Sequence, residues 1–155
     1  MKDTYVIGKD FVPFGNSSLQ GKLFTNEDLK NKITVINFWF EACAPCVAET
    51  DALNKLYSDF RANNNFQFIS FTFDKSDAIK IFTDKNKIQY PIISISRDSC
   101  YLLNFKSGFP TTIVTDEKGK IAYYSCGGLI EPELAKEMIK KNVYPILKDL
   151  LVKLK

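Results

Sequence analysis

At 155 residues, 45% hydrophobic and 25% charged, the chain fits one soluble globular domain, long enough to bury roughly 70% of its unfolded surface without disulfide or metal staples. Its formal charge of +3 comes from 21 Lys and Arg scattered among 18 Asp and Glu, so no basic block offers itself to nucleic acid. Histidine is absent, which excludes a Ser-His-Asp triad, a Cys-His nucleophile pair, a His-ligated zinc and a His-bound haem together.

Met1-Lys2-Asp3-Thr4-Tyr5 lacks the apolar stretch of a signal peptide, and no run approaches the ~18 apolar residues of a membrane span. The expectation is a cytosolic chain, or a mature form whose export segment has been cut away. Residues 1–24 read as short strands or loops around Gly8, Gly15 and Gly21, a hairpin-like β extension preceding a core over 25–155. Thr25-Asn26-Glu27-Asp28 offers a helix N-cap with carboxylates in the first turn.

Ile33 to Phe40 is almost unbroken in β-branched and aromatic residues, as in a central strand buried on both faces. Helical spacing of Val47, Leu53, Leu56, Tyr57 and Phe60 follows, ended by Asn63-Asn64-Asn65. A second strand is expected over 66–73, a helix over 77–85, a third strand over 91–95 and a short helical stretch over 101–105. Asp116-Glu117-Lys118-Gly119 supplies the turn of an antiparallel hairpin between 111–115 and 120–125. From Pro132 an amphipathic helix runs to near Lys155, with a kink expected at Pro145. Strands alternating with helices, closed by a hairpin and a last helix, give an α/β sandwich around a mixed sheet.

Cys43-Ala44-Pro45-Cys46 falls where the buried strand meets the helix. A thiol at a helix N-terminus faces backbone N–H groups and the positive end of the helix dipole, which lower its pKa below the free value of about 8.5. Cys43 is thereby the expected nucleophile. Pro45 suits the first turn, and the three-residue spacing brings Cys46 within disulfide reach as the resolving thiol. Two other readings are plain core cysteines and a four-cysteine zinc site, the latter poorly served by Cys100 and Cys126, whose spacing makes no second knuckle.

Asn37-Phe38-Trp39, Cys43-Ala44-Pro45-Cys46, Glu49, Pro110-Thr111 before a strand, and the Asp116 to Lys120 turn together resemble the thioredoxin superfamily. Within it the chain is similar to the TlpA/ResA-like membrane-associated or extracytoplasmic thiol-disulfide oxidoreductases, which typically carry Asn at the place of Asn37 and Glu at that of Glu49. The resemblance implies a thioredoxin-like α/β/α sandwich and a cis Pro110 abutting the disulfide. It also implies a substrate groove in which Phe109 pairs with substrate backbone, with Ala44 and Pro45 beside it and Trp39 packed next to the site, unless Trp39, an aromatic ending a buried strand, is plain core. Glu49, one helical turn past Cys46, is expected to have a raised pKa and to take the Cys46 proton, unless it is an ordinary solvated surface carboxylate. The family usually has Trp where Ala42 stands, and a smaller residue where Phe109 stands, so a different substrate range is expected.

The resemblance implies an extracytoplasmic, monomeric reductase of protein disulfides. Its redox group is the Cys43–Cys46 disulfide, with no other cofactor and no metal, and a membrane thiol-electron donor keeps it reduced. A thiol peroxidase is the alternative within redox chemistry, but Phe40-Glu41 replaces the Thr-x-x-Cys setting such enzymes use. A redox-inert or metal-binding module of the same fold is the alternative outside catalysis. Cys100 and Cys126 are expected to be buried inert thiols, a second disulfide being the other reading.

Overall fold

A computed structural model describes residues 5–154; what was expected of Met1 to Thr4 and of Lys155 lies outside the described residues. A small antiparallel sheet forms from β1 (Gly15–Ser17) and β2 (Leu23–Thr25). Thr25 then caps a single 3₁₀ turn (Asn26–Leu29): its hydroxyl accepts from the Glu27 N–H while Asp28 accepts from the Thr25 N–H at 2.8 Å. This reciprocal arrangement satisfies N–H groups that a helix start otherwise leaves open.

The main sheet contains β3 (Ile33–Trp39), β4 (Phe66–Thr72), β5 (Ile92–Ser94), β6 (Thr111–Thr115) and β7 (Ile121–Cys126), in the order β5-β4-β3-β6-β7. β3, β4 and β5 are parallel, and β6 and β7 antiparallel, so the sheet is mixed as expected. Every residue of the central β3 is buried, which explains its unbroken apolar run.

Helices α1 (Ala44–Phe60), α2 (Ser76–Asn86), α3 (Arg97–Leu103), α4 (Pro132–Asn142) and α5 (Tyr144–Val152) flank the sheet. Val35, Phe68 and Val114 point to one face and pack with Leu53 and Leu56 of α1, Phe82 of α2, Ile139 of α4 and Leu147 of α5. Ile36, Phe38, Ile69 and Ile113 point to the other, where Phe11, Leu29, Cys100 and Leu103 cover them. These two cores make the chain a thioredoxin-like α/β/α sandwich.

The N-terminal segment is strapped to both edges of the sheet. At the β7 edge, Gly8 N–H donates to Ile121 C=O at 2.7 Å and Ile121 N–H to Lys9 C=O at 2.8 Å. At the opposite edge, Leu19 N–H donates to Ile92 C=O at 2.9 Å. In the β6–β7 turn, Asp116 Oδ1 accepts from the Lys118 and Lys120 N–H groups, while Gly119 takes a φ of +76° that a side chain would resist.

One expectation needs correcting at the C-terminus. In place of one kinked helix there are two, α4 and α5, meeting at Val143. Pro145 lies in the first turn of α5, where its missing N–H leaves no gap.

Candidate active site

Cys43 is the N-cap of α1, and its Sγ accepts from the Cys46 N–H at 3.3 Å. Pro45 sits in the first turn, as the spacing required. Cys43 and Cys46 are joined by a disulfide, both residues buried, with the chain neighbours Ala42 and Ala44 on either side of Cys43 exposed. When the bond is reduced, the N–H already aimed at Cys43 Sγ and the dipole end of the long helix α1 stabilise a thiolate there.

Behind the disulfide, Glu49 is buried rather than solvated on the helix surface. Burial raises its pKa from 4.5 to about 7, and the hydrogen bond from Asn37 only partly opposes the rise. Asn37 Nδ2 donates to Glu49 Oε1 and to Thr112 Oγ1, each at 3.1 Å, because Asn37 and Thr112 face each other across β3 and β6. A cavity of about 40 Å³ between β7 and α4 reaches the carboxylate and is lined in part by Thr112, Tyr123, Ser125 and Asn142. That exceeds the ~10–15 Å³ one water needs, so a water fits beside Glu49.

The Phe109–Pro110 peptide bond is cis. Gly127 N–H donates to Pro110 C=O at 2.8 Å, tying the end of β7 to this loop. Gly128 comes so close that a Cβ there would lie 3.2 Å from Pro110 Cγ and 3.3 Å from Pro45 Cβ. Pro45, Pro110 and Gly128 therefore meet at one place. The sequence reading overlooked Gly127-Gly128, although a glycine pair directly after a strand is the signal of close backbone approach.

Two expectations change. Trp39, placed beside the substrate groove, is 3% exposed, so a substrate could not touch it. Its ring stacks on Phe82 at 5.0 Å and its indole N–H donates to Ser70 Oγ at 3.2 Å, so it forms the floor beneath Cys43 and Cys46. Cys100 and Cys126 are both free, so no second disulfide joins them. Cys100 is buried, and burial pushes its thiol up to about 12. Cys126, by contrast, is exposed, its Sγ accepting from the Gly108 N–H at 3.2 Å, because it ends β7 where the strand leaves the core. Among the described residues no group of three or more Cys, Asp or Glu is arranged to hold a metal ion, and no helix is long and apolar enough to cross a membrane.

Comparison with known proteins agrees with this geometry. The chain is 28% identical over 135 residues to the thiol-disulfide oxidoreductase ResA of Bacillus thuringiensis (strain Al Hakam), covering 86% of this chain and 77% of that protein. It is also 28% identical over 133 residues to the thioredoxin-like protein YneN of Bacillus subtilis (strain 168), covering 84% and 78% respectively. A crystal structure of a putative thiol:disulfide interchange protein DsbE from Chlorobium tepidum superposes with a TM-score of 0.76 at 19% identity, covering 93% of this chain and 97% of that one, a likeness of fold. The model of the AhpC/TSA family matches residues 7–124, from the N-terminal strap through most of β7. With most of its length matched and a thioredoxin-like fold around the CxxC pair, the chain belongs to the AhpC/TSA family.

Proposed function

We infer that this chain is a thiol-disulfide oxidoreductase that reduces disulfides in polypeptide substrates, with Cys43 as nucleophile and Cys46 as resolving thiol. The observation that carries this reading is the Cys43–Cys46 disulfide at the N-terminus of α1 with the Glu49 carboxyl buried one turn behind it. The names of the matched relatives support the same chemistry.

The reaction has two exchanges. The Cys43 thiolate attacks one sulfur of the substrate disulfide; a Cys43–substrate bond forms, the substrate S–S bond breaks, and the departing thiolate takes a proton from water. Cys46 then gives its proton to the Glu49 carboxylate and attacks Cys43 Sγ. The Cys43–Cys46 bond forms, the mixed disulfide breaks, and the second substrate sulfur leaves as a thiolate that takes up the proton held by Glu49. Two electrons have passed to the substrate, and the protein is left oxidised. A dithiol donor returns the two electrons and two protons; by resemblance to ResA-like proteins, that donor is a membrane thiol carrier and the working compartment is extracytoplasmic.

The substrate lies over Ala44, Pro45 and the backbone of Phe109, beside the buried Pro110. Gly128 packs so closely on Pro45 and Pro110 that a side chain there would press on both. Trp39 acts from below as a rigid floor. The test is turnover of a disulfide-bonded polypeptide by the reduced protein, together with the Cys43/Cys46 midpoint against a glutathione series. Polypeptide reduction and a strongly reducing midpoint are expected. A midpoint near that of an oxidising foldase overturns the direction, and turnover of hydrogen peroxide in place of disulfides overturns the activity in favour of a thiol peroxidase.

A further inference from the structure

The end of the sheet that carries the disulfide also carries aromatic rings that the exchange chemistry does not use. Phe40 follows β3, and its carbonyl accepts from the Cys43 N–H at 3.2 Å. Phe73 follows β4, Tyr101 lies on α3, and Phe109 precedes Pro110. Phe109 is the hub, its ring centroid 5.3 Å from Phe40, 5.4 Å from Phe73 and 5.6 Å from Tyr101, in each case edge to face. The Arg97 guanidinium closes the group from one side, 5.3 Å over the Phe73 ring and 5.6 Å over that of Tyr101.

Phe40 and Phe109 lean on one core and Phe73 and Phe109 on the other, but none of them is enclosed by it. Phe38 and Phe71, two residues earlier on the same strands, are fully enclosed, whereas Phe40, Phe73, Tyr101 and Phe109 all remain partly exposed. Four separate segments each bring an aromatic residue to one solvent-facing place. The cluster is continuous with the substrate surface, since Phe109 belongs to both through its backbone beside Pro110 and its ring at the hub.

Partly exposed ring faces, ring edges and a flat guanidinium favour another π system over an aliphatic or charged group. An acidic occupant is disfavoured, because a carboxylate laid on aromatic rings loses water and meets their negative faces. We propose that Phe40, Phe73, Tyr101, Phe109 and Arg97 form a subsite for an aromatic side chain flanking the reacting cysteine of an oxidised polypeptide substrate. The proposal rests on the reading of function given above, and makes the protein selective among disulfides.

The test uses disulfide-linked peptides that differ only in the residue beside the cysteine, Phe, Leu, Ser or Asp, mixed rapidly with the reduced full-length protein. The second-order rate constant of the first exchange is expected to be about tenfold higher for the Phe peptide than for the Ser peptide, with the Leu peptide closer to Ser and the Asp peptide slowest. In Arg97→Ala and in Tyr101→Ala, the Phe-to-Ser ratio should fall below about threefold. Arg97 is exposed, so that variant keeps its fold, which thermal melting checks. Equal rates for Phe and Ser peptides, equal rates for Phe and Leu peptides, or an unchanged ratio in both variants overturns the subsite. Failure of all the peptides, while a polypeptide disulfide is likewise not reduced, overturns the function on which it rests.

Discussion

Asn37 on β3 donates a hydrogen bond to the buried carboxylate of Glu49 on α1 across 3.1 Å, linking the central strand to the helix that carries the disulfide. The bond holds the carboxylate in place but does not offset its loss of water, so Glu49 titrates near pH 7. A group with that value is half-charged at neutral pH and exchanges protons readily in either direction.

The first prediction concerns stability. Below pH 4.5 Glu49 is protonated in both the folded and unfolded chain and contributes no difference. Between 4.5 and about 7 the unfolded chain releases a proton that the folded one keeps, so stability falls as pH rises, and above about 7 the full cost is present. Glu49→Gln should therefore stabilise the oxidised protein by about 3 kcal/mol at pH 8 and leave it unchanged at pH 4. Urea unfolding at the two pH values measures it; an equal effect at both would return the carboxylate to solvent.

The same substitution should affect chemistry. With no carboxylate to accept the Cys46 proton, release of the mixed disulfide should slow about tenfold or more. The rate should also lose its inflection near pH 7. Single-turnover kinetics across pH 5.5 to about 8.5 reads both; matching profiles for wild type and variant would remove Glu49 from the reaction.

Trapping separates the cysteines. Cys46→Ser leaves a nucleophile that joins substrate but cannot release it, so adducts sensitive to reductant should accumulate, whereas Cys43→Ser should trap little. Because Cys126 is exposed and would form adducts of its own, the experiment belongs in a Cys126→Ala background. Equal trapping by both variants on non-reducing gels would sink the division of labour.

Labelling tests the other thiols. In the native oxidised protein an alkylating reagent should modify Cys126 and spare Cys100, whose thiol is enclosed and held up to about 12. Intact-mass measurement should show one label, lost in Cys126→Ser; two labels without denaturant would contradict the burial of Cys100.

Gly128→Val adds atoms where a single Cβ already stands 3.2 Å from Pro110 Cγ. Both nearby prolines are rings with little freedom to yield, so the variant should reduce polypeptide substrates several-fold more slowly. Its reaction with a small dithiol should change less. Equal slowing of both reactions would point to a general distortion instead.

What could be seen in the sequence followed the range of each interaction. The run Ile33 to Trp39 and the Cys43-Ala44-Pro45-Cys46 turn carry local signals, and both appear where expected. Glu49 stands out by its one-turn spacing from Cys46 together with the family resemblance, but the amide that holds its carboxylate comes from Asn37 on β3, on another element. The exposure of Cys126, expected to be buried, and the role of Gly128 have the same long-range origin. Their positions depend on the register of β7 against β6 and on the bond from Gly127 to Pro110. For Trp39 the sequence leaves substrate contact and plain core both open, because a strand's last residue faces solvent or core according to which helix covers it, here α2 through Phe82.

The N-terminal strap has a consequence for how the protein meets other chains. An open sheet edge is a template on which an extended segment can add as a further strand, and a reductase of polypeptides encounters such segments in every unfolded substrate. Here Gly8 and Lys9 engage Ile121 on one border and Leu19 engages Ile92 on the other, so the chain occupies backbone groups at both borders itself. Incoming chains are thus turned away from the sides of the sheet and left to approach by its end, where the disulfide lies. Replacing the strap would enlarge the sticky surface of the molecule without adding to its chemistry.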